Sequence, residues 1–201
     1  PFVNQQRETV SGIDFAAKLS MPIGPVTWNS SFDVSYLDKY ELIDASGAAL
    51  RYEGTLSPCN ITSCSGAPEW RGSWQNTVEF DNPLGHTAVT LTAYYTSALD
   101  NASLDYGGVP GDCEASLLAS VAEYADGTPV NCKGKEIWNF DLTARHRIND
   151  SYTVYLDVLN LFDTGPKFDP SAAYAIFGFN PAWDGPAAMG RYFRMGVKVD
   201  F

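Results

Sequence analysis

No stretch of the chain approaches the roughly 18 consecutive apolar residues of a membrane-spanning helix, which excludes a helical span. Cations are scarce. Thirteen Lys and Arg stand against 24 Asp and Glu, and a net charge of −11 leaves no basic patch to offset phosphate repulsion. Nucleic acid is therefore not an expected partner. Histidine is limited to His86 and His146, and the four cysteines lack the CxxC spacing of zinc knuckles, so neither a metal nor another cofactor is expected. No glycine-rich phosphate loop occurs. Nothing at Pro1 reads as a signal peptide, as in an exported chain that has lost one or a piece of a longer chain.

What the chain does have is aromatic residues and alternation. It carries 11 Tyr, 11 Phe and 5 Trp among 201 residues, a length that suits one domain or a modest pair. Its hydrophobic fraction, 45%, is ordinary, as a β-barrel's would be when lumen residues dilute lipid-facing ones one to one. The cysteines fall as Cys59 with Cys64 and Cys113 with Cys132. Of the three possible pairings, bonding within each pair is the simplest, and it points to an oxidising compartment.

The segment ending at Phe201 alternates along its whole length. Phe193, Met195, Val197, Val199 and Phe201 lie on one face, and Arg194, Lys198 and Asp200 on the other. Six further segments behave alike: 9–20, 26–38, 69–80, 86–98, 136–148 and 152–161. Their apolar phases include Phe15, Trp28, Val34, Trp74, Val89, Leu142 and Leu156, and their polar phases Asp14, Lys18, Asp33, Arg71, Glu79, Asp141, Arg145 and Asp157. The expected fold is all-β, seven antiparallel strands.

Connections run short (21–25), long (39–68), short (81–85), long (99–135), short (149–151) and long (162–190). A membrane barrel needs this sorting, with brief turns on one rim and long loops on the other, whereas a soluble sandwich has no reason for it. Both cysteine pairs fall in long loops. Trp28, Phe80, Tyr152 and Phe201 lie near the short turns, and Trp70, Trp138 and Phe193 near the long loops, as interface girdles would.

The run Leu159-Asn160-Leu161-Phe162-Asp163, with Pro166 after it, then Gly190-Arg191-Tyr192-Phe193 opening a strand that closes on Phe201, resembles the end of a TonB-dependent outer-membrane receptor. Ser11-Gly12-Ile13-Asp14 and Ser35-Tyr36-Leu37-Asp38-Lys39-Tyr40 are similar to that family's barrel repeats. The resemblance implies that residues 1–201 are the last seven strands of a 22-stranded transmembrane barrel, with the plug domain and earlier strands outside this chain. It further implies integral location in the bacterial outer membrane and energised uptake of a ferric siderophore, cobalamin or glycan. The implied partners are outer-membrane lipid and lipopolysaccharide, the protein's own N-terminal plug, TonB with its inner-membrane motor, and the barrel-assembly machinery. That machinery would read Phe193, Met195, Val197, Val199 and Phe201. A passive porin without a plug is the alternative, and a secreted carbohydrate-binding β-sandwich a third reading.

Candidate ligand contacts are the loop aromatics Phe168, Tyr174, Phe177, Phe179 and Trp183, which either stack on a ligand or stiffen neighbouring loops. The polar-phase charges either meet the plug or pair across strands. Asp100 with Asp105 and Asp163 with Asp169 are acidic pairs without a regular calcium-loop pattern. No enzymatic activity is expected: His86 and His146 fall on or near the lipid-facing phases of different strands, which suits interfacial imidazoles rather than a dyad.

Overall fold

The computed structural model describes residues 7–43, 46–59, 64–100, 102–111, 125, 133–167, 179 and 181–200. The chain is all-β, built around one antiparallel sheet of eight strands. In chain order these are β1 (Arg7–Ile23), β2 (Val26–Ile43), β3 (Ala49–Arg51), β4 (Trp70–Asn82), β5 (Gly85–Thr96), β6 (Ile137–Arg147), β7 (Tyr152–Leu159) and β8 (Tyr192–Val199). A short helix, α1 (Pro181–Ala188), precedes the last strand. No described helix is long and apolar enough to cross a membrane.

Seven of the strands follow one another as a meander, β1-β2-β4-β5-β6-β7-β8, while the short β3 folds back onto β2. Each long strand therefore lies beside its sequence neighbour. The turns at 24–25, 83–84 and 148–151 fall at one end, and the connections 44–69, 97–136 and 160–191 at the other. Seven of the strands are those the alternation marks out. The eighth, β3, has three residues, too few for a period to declare itself.

Register carries the apolar phase across the whole sheet. Met21 pairs with Trp28, Trp28 with Val78, and Val78 with Val89. Val89 then pairs with Ala144, Ala144 with Leu156, and Leu156 with Met195. A slip of one residue in any ladder would break this row, so six ladders agree on one apolar face. No second sheet covers it among the described residues. Ile13 is 67% exposed and Met195 78%.

Among the polar side chains within the apolar face, Ser30 on β2 and Asn76 on β4 are directly opposite each other. Each is matched to an indole, Trp74 Nε1 donating to Ser30 Oγ at 2.9 Å and Trp28 Nε1 to Asn76 Oδ1 at 3.2 Å. On an otherwise apolar face such partners satisfy the polar groups. Aromatic contacts gather toward the long-loop end, with Tyr36 on Trp70 at 4.5 Å, Tyr95 on Trp138 at 4.7 Å and Phe140 on Phe162 at 5.1 Å.

The polar face holds one deeply buried carboxylate. Asp157 is 1% exposed and accepts from Arg194 through Nε at 2.8 Å and Nη2 at 2.6 Å, with Arg145 3.9 Å from its other oxygen. One expectation needs correcting here. His86 pairs with Arg147 on the polar face and meets Asp81 at 2.9 Å, so only His146 lies on the apolar face, where its Nδ1 meets Thr87 Oγ1 at 2.9 Å.

The strand β2 runs five residues past the expected end at 38 because its phase inverts there. Ser11 pairs with Lys39 and Gly12 with Leu37, leaving Asp38 as an extra residue in a β-bulge. Beyond it Tyr40 and Leu42 turn to the formerly polar side, while Lys39 and Glu41 join across the other face at 2.8 Å. Gly12 is required at this close approach, since a Cβ would collide with the Tyr36 carbonyl oxygen. The apolar face thus stops at Tyr36.

Candidate functional site: a loop cap and the groove beneath it

The described residues bury little in the sheet and much in the long connections. Tyr52, Leu56, Cys64, Ala67, Leu99 and Ala102 are all under 9% exposed, and all belong to the connections after β2 and β5. These two connections pair with each other: Leu56 N donates to Ala102 O at 3.2 Å and Asp100 N to Gly54 O at 2.7 Å. Tyr52 also packs edge-on against Tyr40 at 5.2 Å, which ties the cap to the end of β2 beyond the bulge.

Asp105 and Asp100 are occupied by donors within the cap. Asp105 accepts from the Tyr52 hydroxyl at 2.6 Å and from Cys59 N at 2.7 Å. Asp100 accepts from Ala102 N at 3.1 Å and Gly111 N at 2.9 Å. Both acids therefore act as loop staples, which accounts for this pair without calcium; Asp169, of the other acidic pair, lies outside the described residues. Burial first, and then the hydrogen bond to Asp105, raise the Tyr52 phenol above its ordinary value.

Cys59 and Cys64 form the expected disulfide, closing the tip of the first long connection. Cys113 and Cys132 lie outside the described residues, as do Phe168, Tyr174, Phe177 and Phe201. Phe193, Met195, Val197 and Val199 pair with Val158, Leu156, Val154 and Tyr152, so all four stand on the apolar face. Phe179 is half-buried. Of the loop aromatics, Trp183 on α1 has the clearest setting: its indole Nε1 donates to Ser65 O at 2.7 Å, beside the disulfide.

The Asn160–Asp163 run has a structural meaning that the motif alone does not disclose. Asn160 and Asp163 both adopt positive φ, 51° and 55°, which Asn and Asp tolerate better than other non-glycine residues. The Asn160 side chain receives Thr164 N and donates to Thr164 O, both at 2.9 Å, so its amide stands in for a strand partner. Asp163 Oδ1 accepts from Arg191 N at 2.7 Å and anchors the start of β8. Gly190 takes φ +69° in this junction. The pattern is a connector that sets the register of the last two strands.

Beneath the cap lies a groove of about 450 Å³ on the polar side of β1, β2 and β4, reached by Trp183 from above. Its charged side chains are Asp14, Glu69 and Arg71. Arg71 lays its guanidinium over the Trp183 ring, 5.5 Å from the centroid. Periodicity assigned Asp14 and Arg71 to the polar face; Glu69 continues the β2–β4 ladder beside Trp70, its carbonyl accepting from Leu37 N at 2.8 Å, and Tyr40 joins the groove through the bulge. Compared with models of known families, with curated proteins and with solved structures, the chain matches none.

Proposed function

We propose that this chain is the C-terminal part of the transmembrane barrel of a TonB-dependent outer-membrane receptor, which takes up a scarce ligand against its gradient. The observation that carries the reading is a single sheet whose apolar face is continuous over seven strands, left uncovered, and ended by the bulge at Asp38. On β2 the apolar band runs from Val26 to Tyr36. At ~3.3 Å per residue that is roughly 33 Å along the strand. Tilted by about 45° it spans about 23 Å, close to the lipid-facing band of about 25 Å in such barrels.

Both ends of the sheet support membership in a larger barrel. Among the described residues, strands β1 and β8 each pair on one side only. An open edge in hydrocarbon leaves unmet N–H and C=O groups at several kcal/mol apiece, so further strands of the same protein continue the wall. In this reading the polar face lines a lumen filled by the plug, and the cap faces outward from the cell. Uptake is energised by TonB acting on that plug; this part of the reading rests on the resemblance of the C-terminal motifs.

Membrane fractionation with heat-modifiable gel mobility tests the wall, and recovery of soluble protein without detergent overturns it. Ligand uptake in strains with and without TonB tests the transport. Uptake that persists at full rate without TonB makes the protein a passive pore.

A further inference from the structure

We propose that the groove beneath the cap binds a neutral saccharide, with Asp14, Glu69, Arg71 and Trp183 as its contacts; this deepens, and rests on, the receptor reading. The argument starts from a contrast among charged groups. At the loop end the acids are committed: Asp100 and Asp105 to backbone N–H groups, Glu41 to Lys39, and Glu53 to Arg51 and Tyr40 N. The Asp14 and Glu69 carboxylates have no hydrogen bond or ion pair among the described residues, and Arg71 has no ion pair. All three line one groove, and its volume of about 450 Å³ falls in the range of small-molecule sites.

The chemistry of these groups selects the ligand. Two carboxylates accept pairs of donors, and one guanidinium donates in a planar fork. Adjacent hydroxyls on a sugar ring supply both roles. Trp183 adds an apolar ring surface for the C–H face of a pyranose. Net charge argues against an anionic cargo such as a ferric tris-catecholate. The three groups sum to −1.

The test is calorimetric titration of the full-length protein, purified in detergent, with maltohexaose, cellohexaose, xylohexaose and laminarihexaose, and with a ferric tris-catecholate. At least one oligosaccharide binds. Asp14→Asn, Glu69→Gln and Trp183→Ala each weaken it about tenfold or more, and Lys198→Ala at the opposite rim does not. Unchanged heat-modifiable mobility shows that the variants assemble. Failure of all four sugars to bind overturns the proposal, as does binding that ignores the three groove variants. Tighter ferric catecholate binding in Asp14→Asn overturns it too. Binding is read without TonB or an energised membrane, so its failure strikes the saccharide assignment alone, whereas TonB-independent uptake strikes the transport reading alone.

Discussion

The wall and the cap solve opposite problems with the same chain. In the wall, side chains alternate and the apolar half stays uncovered: Phe15 is 56% exposed and Val197 59%. In the cap, alternation is absent, yet Tyr52, Leu56 and Ala102 are almost fully enclosed. Water alone explains the cap, since apolar groups there are withdrawn from it. It does not explain the wall, where large apolar side chains line an open face across seven strands. Exposed apolar surface on that scale marks a contact surface, and here it is the expected contact with hydrocarbon.

The contrast breaks most sharply with a charge on the wall. Leu91→Arg places a guanidinium in mid-face, between Asn76 and Leu142. It is expected to cost about 2–4 kcal/mol and to abolish heat-modifiable assembly. Thr143→Arg on the polar face is expected to be tolerated. Equal effects from the two variants would show that both faces meet the same solvent.

The next largest effect belongs to the cap. Replacing Cys59 and Cys64 by Ser removes a short cross-link worth about 2 kcal/mol in the chain-entropy model. Hydrogen exchange should rise in the described segments 46–59 and 64–69 while β4–β8 stay protected. A wall that loosens with the cap would show that the two are one cooperative unit.

The junction between them is sharpened by Asn160→Ala. That change removes both side-chain bonds to Thr164 and puts alanine at positive φ. It is expected to cost about 1–2 kcal/mol, read as lower urea resistance of the assembled protein, with β7–β8 exchange raised first.

The smallest effect is a pH response of the cap. Tyr52 has its phenol raised above the ordinary value of 10.0, by burial first and then by Asp105. The stability it contributes is complete below pH 10 and falls as pH climbs toward the raised value. Exchange at the cap, but not the wall, should therefore begin to rise above pH 10. Tyr52→Phe should remove that alkaline response.

Legibility followed periodicity. Where side chains alternate, the strands and their order could be read directly, because period two is a property of the backbone and not of its neighbours. The bulge could not be read, since one extra residue at Asp38 looks like the end of a pattern rather than its inversion. Only Gly12, two residues before Asp14 in an otherwise alternating segment, hinted at a close approach. The groove was half legible: Asp14 and Arg71 stood on the polar phase, and Trp183 was one of the five loop aromatics named. Glu69 opened the expected segment 69–80 in the phase of Arg71 without being singled out, and Tyr40 could not be placed because the bulge inverts the phase before it.

What the sequence determined alone is the wall: its alternating faces, its short and long connections, and the end at which the loops gather. Those follow from local geometry and from which residues tolerate which solvent. The tertiary structure decided the rest. It placed the inversion of β2, paired Ser30 and Asn76 with two indoles, and left the Asp14 and Glu69 carboxylates without an ion pair among the described residues. Each of these depends on residues far apart in the chain meeting at a distance of a few ångströms, which no local period encodes.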